Sequence, residues 1–555
     1  MSKTDLALLI LRDFHGEIVA KIGECIVLSG CATVRQVALS TGIPQAKVKR
    51  AVLILVQHGI AEFEQNKHGF IDYKVDVNKI VYRLQFPKIM RCAELLYGDP
   101  AKFMVEKLLF EGRATMKSLI KTETQRLNEC LRAQGDSEVA PSLLEERFEK
   151  LVKTHFLKRC SVPIKDARGR AVSLEAPSEE LVFVMPPKES GTERVKQEGE
   201  PPSKKLKVEG EVDHAAAADS ATSEIYWEVN YKRFLQHFRD QVLVAAVASR
   251  LDNEKAGEVL RTILRHCEKT TNPNEYVSQP ISYHEIQAQL PRDLGMAKQT
   301  LEQWLKILTD TMPEFVSKSA DSGGGMYAVS IFQALQTLCT AHIESVVEER
   351  FGSKSLRIFR VILMKRQVEQ TTIEKCVLMP AKEAKDLLYK MFREHFVHVT
   401  ELAKTPDHAP SRTFYLFNVD LQKVARVVLD RSYKAMKNVV IKQRLVVSEN
   451  KRLRDKENRK NVVIASLQKQ HSDLLAEHGE GITDEMKEEW EREVDAIKSM
   501  ITHHEYEQLE KASKFIHHLE ASQQQLDSTI FLLESYLAMT YKPPTPKPAR
   551  DPLGR

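Results

Sequence analysis

Five side chains near the C-terminus have the residue types that bind catalytic metals: His503, His504, Glu507, His517 and His518. Adjacent residues on a helix point in different directions, so only His503 and Glu507 would share a face. A zinc site needs three or four ligands, and two side chains do not make one. The pattern therefore favours an ordinary exposed helix over a metal centre.

A glycine cluster, Asp321 to Tyr327 (DSGGGMY), is the only segment that resembles a phosphate-binding loop. It lacks the Gly-Lys-Ser/Thr ending and the following helix that a P-loop requires, so it indicates a flexible hairpin tip. No Gly-x-Ser-x-Gly elbow is present. We therefore expect no catalytic centre and no cofactor, and the chain by itself is not predicted to be an enzyme.

Basic side chains near residue 50 suggest a third chemistry, the binding of nucleic-acid phosphates. Lysine neutralises phosphate, whereas bidentate reading of bases favours Arg, Asn or Gln, so this set predicts weakly sequence-specific binding to duplex or single-stranded DNA. Two alternatives stay open. The start of a helix is often polar simply because it is exposed, and many helical modules of this kind bind proteins instead of DNA. The candidate DNA contacts are Gln45, Lys47, Lys49, Arg50, Lys67 and His68.

The element that would position these residues is a winged helix. Residues 32–42 and 43–59 read as two helices that each end near a glycine. IAEFEQN and GFIDYKV then alternate apolar and polar residues around a short turn, which predicts a β-hairpin with Lys67 and His68 at its tip. In such modules the second helix enters the major groove and the wing reaches neighbouring phosphates.

The same order of parts recurs three more times before residue 420, with unequal lengths that indicate separate domains and not a solenoid. In the second copy we expect the apolar run Leu181 to Met185 to be the closing strand. Its second helix mixes charges, which favours protein contacts. The prediction is a mainly α fold with small β-wings: winged helices at 1–85, 86–185, 225–335 and 336–420, a disordered charged linker at 186–224, a coiled-coil hairpin at 421–541 and a proline-rich tail at 542–555.

The segment from 186 to 224 is rich in Glu, Lys, Pro and Ala and has no aromatic residue, so we expect disorder. Lys204, Lys205 and Lys207 form a basic cluster that a nuclear import receptor could read. A solvated charge run explains the same residues equally well. Lys196 and Lys207 also lie in short motifs of the type favoured by SUMO conjugation.

The C-terminal third predicts two long helices joined near Gly479 and Gly481, with Thr483 as a helix cap. The partner helix has a weaker stripe at Val440, Val447, Ile464, Leu467 and Leu474, so pairing within or between chains stays open. A basic stretch, 432–460, is a solvated face or a contact for nucleic acid or an acidic partner. In the second helix, steps of three and four define a coiled-coil seam: Leu509, Ala512, Ile516, Leu519, Gln523, Leu526, Ile530, Leu533 and Leu537.

Composition limits the class of protein. The 555 residues suggest four or five domains, and 82 basic against 77 acidic residues leave a net charge of only +5. Nucleic-acid contacts must therefore be local. The eight cysteines have no paired spacing and no run approaches the ~18 apolar residues of a membrane span, so we expect a nuclear or cytosolic protein with reduced thiols and no membrane contact.

Several long strings closely resemble the third-largest, winged-helix subunit family of nuclear RNA polymerase III, which is similar to the alpha subunit of the general factor TFIIE. The resemblance covers essentially the whole chain apart from the linker and the tail after Tyr541. The matching strings are IYWEVNYKRFLQHFRDQ (225–241), KSADSGGGMYAV (318–329), MPAKEAKDLLYKMF (379–392), TPDHAPSRTFYLF (405–417) and STIFLLESY (528–536).

The resemblance implies a non-catalytic subunit of the polymerase that makes transfer RNA, 5S ribosomal RNA and other short transcripts in the nucleus. It implies a heterotrimer with two smaller subunits, seated on the clamp of the largest subunit, that aids recruitment to TFIIIB and opening of promoter DNA. Family members are also implicated, through the whole polymerase, in sensing foreign cytosolic DNA. A winged-helix scaffold of a different nuclear complex is the alternative, and a free-standing regulator would need more than one strongly basic recognition helix.

Overall fold

The computed structural model describes residues 2–134, 137–165, 171–185, 225–291, 295, 297–310, 315–403, 406, 413–478, 492, 494–497, 499 and 501–540. They fall into two compact units, one of residues Ala7–Leu338 and one that combines Cys339–Thr540 with Met1–Leu6. The mainly α fold with small antiparallel sheets is confirmed.

Four three-stranded sheets share one topology. In each, the strand that comes last in the chain is central, with the first strand on one side and the second on the other. A short strand enters the sheet, two helices follow, and a hairpin returns, which is the winged-helix order. The four copies expected from the sequence are therefore present, three in the unit Ala7–Leu338 and one in the other.

The first winged helix follows a long helix, α1 (Ser2–Ser29), that is interrupted at Gly16 by non-helical φ and ψ angles. A capping box starts its first helix: the Gln36 N–H donates to Thr33 Oγ1, and the Thr33 N–H donates to the Gln36 side chain. Gly42 ends that helix at a φ of 69°, a left-handed conformation that favours glycine. Its elements are β1 (Ala32–Thr33), α2 (Val34–Thr41), α3 (Gln45–Gln57), β2 (Ala61–Gln65) and β3 (Ile71–Val75).

Helices α4 (Val77–Val81), α5 (Phe86–Tyr97) and α6 (Asp99–Glu111) lead to the second winged helix. Its first strand and two helices are β4 (Ala114–Thr115), α7 (Met116–Gln134) and α8 (Pro141–Lys153), and β5 is Leu157–Arg159. A separate two-stranded hairpin follows, made of β6 (Val162–Lys165) and β7 (Ala171–Glu175).

The closing strand of the second winged helix is β8 (Tyr226–Val229), and the prediction of a strand at Leu181–Met185 is wrong. Residues 179–183 form turns. Trp227 pairs with Ala114 on one side and with Arg159 on the other, so β8 occupies the central position of the sheet. The boundary expected at residue 225 therefore falls inside the second winged helix, and residues 186–224, outside the described residues, connect two parts of one domain.

The third winged helix is preceded by α9 (Tyr231–Leu251) and α10 (Glu254–Cys267). A capping box between Ser282 and Glu285 starts its first helix. The glycine cluster of the sequence forms the hairpin turn, as expected, with a short 3₁₀ helix at Ser322–Gly324. The elements are β9 (Ile281–Ser282), α11 (Tyr283–Gln289), α12 (Lys298–Asp310), β10 (Val316–Ala320) and β11 (Met326–Val329).

The fourth winged helix follows α13 (Ile331–Phe351) and α14 (Ser353–Lys365). Its wing is the longest of the four, with six consecutive register pairs between His398↔Asn418 and Ala403↔Thr413. The elements are β12 (Gln367–Glu369), α15 (Gln370–Val377), α16 (Ala381–Arg393), β13 (His398–Ala403) and β14 (Thr413–Asn418).

The C-terminal helices are α17 (Leu421–Glu449), α18 (Lys451–His478) and α19 (His503–Thr540). They form an antiparallel hairpin within the chain, because the Gln443 amide donates to Gln523 at 3.1 Å while Lys456 lies 2.7 Å from Glu505. The predicted turn and cap at 479–483 lie outside the described residues. Helix α19 begins at His503 with a capping box between Thr502 and Glu505, and the hydrogen bonds from Lys456 and from the Thr502 N–H lower the pKa of Glu505 to about 2.

The expected seam of α19 faces the inside of this hairpin. All nine of its positions are buried or half-buried, with Leu533 fully covered and Leu509 and Ile530 at 7% and 5% exposure. The partner stripe is partly different: Val440 is buried and Ile464 and Leu467 are half-buried, but Val447 is exposed and Val446 is buried in its place. The side chain of Leu474 lies outside the described set.

Candidate nucleic-acid and protein interface

Helix α3 presents the expected basic surface of the first winged helix. It buries Val48, Ala51, Val52 and Leu55 against the domain core. The opposite side of its first two turns therefore faces solvent. The predicted contact residues on this side are all exposed, namely Gln45, Lys47, Lys49 and Arg50.

The wing places Lys67 and His68 at an exposed turn between β2 and β3. The Asn66 side-chain oxygen accepts the N–H groups of His68 at 3.0 Å and Phe70 at 3.1 Å. The Asn66 N–H also donates to the Phe70 carbonyl at 2.8 Å. These hydrogen bonds fix the backbone of the turn, and the side chains of Lys67 and His68 project from it into solvent.

The charge of this surface is local. Within the described part of the chain, no carboxylate lies at ion-pair distance from the four cationic candidates, Lys47, Lys49, Arg50 and Lys67. On the wing strands, Glu62 lies opposite Lys74 and 3.2 Å from Lys79, whereas Glu64 lies opposite the like-charged Asp72. Phosphate groups would be attracted to the start of α3 and to the wing tip, and repelled by Glu64 and Asp72.

Exposed apolar side chains on the same domain were not anticipated from the sequence. Leu39 on α2 is 77% exposed and Leu53 on α3 is 67% exposed. Leu53 lies one helical turn after Lys49 and so extends the basic face with an apolar one. A mixed surface of this kind suits a protein partner as well as DNA. In the sequence, the exposed apolar face was indicated only by the composition of α3, which has more leucine and isoleucine residues than one buried stripe requires.

The second recognition helix, α8, neutralises its own charges. Glu146 bonds to Lys150 at 2.5 Å and Glu149 lies 3.2 Å from Lys153, each pair one turn apart. These exposed pairs leave little free positive charge for phosphates. That this copy contacts proteins stays a prediction.

The recognition helix of the fourth winged helix, α16, carries exposed aromatic side chains that sequence reasoning missed. Tyr389 is 50% and Phe392 42% exposed, and the Lys385 ammonium lies 5.9 Å from the Tyr389 ring centre. Leu378, 90% exposed, precedes this helix with a φ of 56°, which is strained for a leucine. Exposed apolar residues at a strained helix junction are typical of interaction surfaces.

A half-buried histidine pair connects α1 with the end of α3. The rings of His15 and His58 are 4.8 Å apart. Burial, with the nearby Arg83 charge, lowers the pKa of His15 to about 3 and that of His58 to about 4. Arg83 is itself buried between the rings of Phe14 and Phe86, at 5.1 and 5.8 Å. Both histidines are therefore neutral near pH 7 and serve packing.

The candidate lysines for nuclear import and SUMO conjugation lie outside the described residues: Lys196, Lys204, Lys205 and Lys207. His503 and Glu507 lie 3.6 Å apart on the exposed face of α19. Among the described residues, no group of three or more His, Cys, Asp or Glu is arranged to hold a metal ion. None of the described helices is long and apolar enough to cross a membrane.

The repeated topology and the C-terminal hairpin define a tandem winged-helix protein with an α-helical arm. Three family models match it: the RNA polymerase III subunit RPC82 helix-turn-helix domain at 5–66, RNA polymerase III subunit RPC82 at 146–338, and the POLR3C C-terminal winged-helix domain at 343–419. The matches fall on the first winged helix, on a stretch that ends with the third, and on the fourth.

Similarity to known proteins extends over nearly the full length. The chain is 38% identical over 549 residues to DNA-directed RNA polymerase III subunit RPC3 of Bos taurus and of Homo sapiens, covering 97% of this chain and 98% of each relative. It is 36% identical over 546 residues to the Danio rerio protein of that name, covering 96% and 97%. The chain belongs to the RPC3 (RPC82) family of RNA polymerase III subunits.

Proposed function

We propose that this chain is a structural subunit of nuclear RNA polymerase III that helps bring the enzyme to its promoters and open them. It would join two smaller subunits in a heterotrimer on the clamp of the largest subunit. From there it would contact TFIIIB and DNA at genes for transfer RNA, 5S ribosomal RNA and other small RNAs. The chain contributes surfaces to the polymerase and not its catalytic centre.

The observation that carries this proposal is the extent of the relationship. Identity of 38% over 97% of the chain includes all four winged helices and both arms of the helical hairpin. A scaffold of an unrelated complex would not be expected to keep this similarity over every domain. The exposed apolar groups on the first and fourth winged helices add support, because a polymerase subunit needs extensive protein contacts.

Within this role, the first winged helix is the proposed DNA contact. Its six candidates are four cations, one amide and one imidazole, at the start of α3 and at the tip of the wing. The set can neutralise a few phosphates without extensive base reading, which suits promoter DNA of varied sequence. The same contact would serve when the whole polymerase transcribes foreign DNA in the cytosol.

The polymerase assignment is tested by purifying a tagged chain from nuclear extract. We expect the catalytic and smaller subunits of RNA polymerase III to co-purify, and promoter-dependent transfer-RNA synthesis to fall when this chain is depleted and return when it is added back. Recovery of a stable complex without polymerase subunits would refute the assignment and favour the scaffold alternative.

The DNA contact is tested with a matched pair of triple variants of the full chain. Lys47→Ala, Lys49→Ala and Arg50→Ala remove two lysines and one arginine from α3. The control, Lys121→Ala, Arg265→Ala and Lys306→Ala, removes the same charges from exposed positions on other helices. Binding to a labelled 30-base-pair duplex is measured against salt.

We expect the α3 variant to bind more weakly on every sequence tested and to reduce the slope of log affinity against log salt by about 2 to 3, since each phosphate contact contributes about 0.9. The control variant should keep the original slope. If both variants lose affinity equally, the effect is one of net charge and the first winged helix is not the DNA contact.

A further inference from the structure

A groove of about 710 Å³ lies beside the junction of α17 and α18. We name it the elbow groove. Five basic side chains line it: Lys451, Arg452, Lys456, Arg459 and Lys460. It lies on the arm of the protein, away in sequence from the winged-helix surfaces that carry the proposed polymerase and DNA contacts.

The elbow is a fixed break between two helices. Asn450 ends α17 with φ and ψ of −98° and 9°. Its side-chain N–H donates to the Val446 carbonyl at 2.9 Å, and its side-chain oxygen accepts from Gln508 of α19 at 3.3 Å. Asn450 is buried. The start of α18, which carries the basic residues, is therefore held in place before any ligand arrives.

Among the described residues, only one of the five basic side chains of the groove is paired with a carboxylate. Lys456 lies 2.7 Å from Glu505 and is already paired. In the part of the chain that the structure describes, the other four basic side chains have no carboxylate within ion-pair distance. Lys451, Arg452 and Arg459 are exposed and Lys460 is half-buried. Free charge held next to a concave surface predicts an acidic ligand.

The spacing of the two arginines indicates an extended ligand. Arg452 and Arg459 are two helical turns apart and lie on one face of α18, about 10.5 Å apart along the helix axis at 1.5 Å per residue. Each guanidinium can hold one carboxylate through two parallel hydrogen bonds. A peptide with acidic residues several positions apart can reach both.

The rest of the lining favours a peptide over nucleic acid. Glu449 and Asp455 also line the groove, so a ligand whose negative charges are spaced apart fits better than one that carries a phosphate on every nucleotide. No aromatic side chain lines the described part of the groove, so it offers bases no stacking platform. Val463 and Ile497 provide an apolar wall that suits an aliphatic side chain.

We infer that the elbow groove binds an acidic peptide segment of a partner protein. Carboxylates of the peptide pair with Arg452 and Arg459, and an intervening aliphatic side chain packs against Val463 and Ile497. The interaction is independent of the DNA contact proposed for the first winged helix and requires no rearrangement of the elbow.

The test uses the full chain and a fluorescein-labelled synthetic peptide of fourteen residues in which pairs of glutamates alternate with single leucines. Binding is measured by fluorescence anisotropy. A control peptide has glutamine at every glutamate position. The double variant Arg452→Glu with Arg459→Glu reverses the charge of two side chains that line the groove. The control variant Arg426→Glu with Arg454→Glu makes the same charge change at exposed positions that do not line it.

We expect the acidic peptide to bind, the glutamine peptide to bind at least tenfold more weakly, and the groove variant to lose about tenfold or more in affinity. The control variant should change affinity less than about twofold. Equal losses in the two variants, or no binding of the acidic peptide, would overturn the inference. A single-stranded oligonucleotide that binds more tightly than the peptide and is lost in the groove variant would identify nucleic acid as the ligand instead.

Discussion

Trp227→Ala should destabilise the second winged helix, although residue 227 follows that domain's other elements by more than sixty positions. Trp227 is 1% exposed and meets the ring of Phe148 edge to face at 5.4 Å. Its strand is the centre of the sheet, between Ala114 and Arg159. The side chain thus fills the space between the sheet and helix α8.

The expected cost follows from the buried area. A buried tryptophan covers roughly 200 Å², which at about 25 cal/mol per Å² corresponds to about 5 kcal/mol. Measured Trp→Ala and Phe→Ala changes in cores are about 3 to 5 kcal/mol. We therefore expect a loss of about 3 to 5 kcal/mol in the local free energy of unfolding, enough to open much of this domain.

Hydrogen exchange with mass spectrometry measures this loss domain by domain, which suits a chain of several domains, because such chains are not expected to unfold in a single two-state step. Amides of α8, Pro141–Lys153, should exchange much faster in the variant, whereas those of α16 in the fourth winged helix should not change. Tyr226→Ala is the matched control, because Tyr226 is adjacent but 50% exposed, and should cost less than about 1 kcal/mol.

Unchanged exchange in α8 would refute the reasoning about strand β8. Faster exchange confined to α12 of the third winged helix would assign residues 226–229 to that domain. This is the assignment predicted from the sequence, in which the third winged helix begins at residue 225. Either result would remove the support for a continuous domain on both sides of residues 186–224.

Two further predictions follow from the same unit. Replacing residues 188–222 by a short Gly/Ser linker should change the melting temperature of the domain by less than about 2 °C. The Arg159 N–H donates to the Val182 carbonyl and the Cys160 N–H to the Tyr226 carbonyl, so the chain on either side of the segment is held at neighbouring residues, and a shorter loop costs less closure entropy. Loss of folding, measured by circular dichroism, would contradict this prediction. Lowering the pH from about 7 to about 5 should reduce stability around His15 and His58, because the unfolded histidines gain protons near pH 6.5 while the folded ones stay neutral down to about pH 3 and 4. Thermal unfolding of the double variant His15→Gln with His58→Gln should depend less on pH over this range, and an equally steep decline would assign the effect to other groups.

Local features of the fold were readable from the sequence. Capping residues such as Thr33 and Gln36, the glycine at 42 and the alternation of the first wing specify helices and hairpins through contacts a few residues apart. Because these signals are local, they predicted four winged helices and a heptad seam in which every position is buried or half-buried. The polar pattern of α3 likewise identified side chains that are all exposed.

Long-range pairing could not be read in the same way. LVFVM at 181–185 has the composition of a strand, yet Tyr226–Val229 takes the central place in the sheet, because Trp227 fills the core against Phe148. Closing a longer loop costs only a little more entropy, so the intervening segment left no sign of the connection. The exposed apolar surface of the fourth winged helix was not predicted for the same reason, because the exposure of Leu378 and Tyr389 depends on which other elements cover them.

The sequence by itself thus determined the type and order of the elements, because helix and strand periods and caps act within a few residues. It also determined the family, because the similarity extends over nearly the whole chain. Only the tertiary structure decided which strand closes the second wing, that the arm pairs within the chain, and that Asn450 holds a basic groove at its elbow. Those outcomes depend on contacts between residues far apart in the chain, whose relative burial no local pattern specifies.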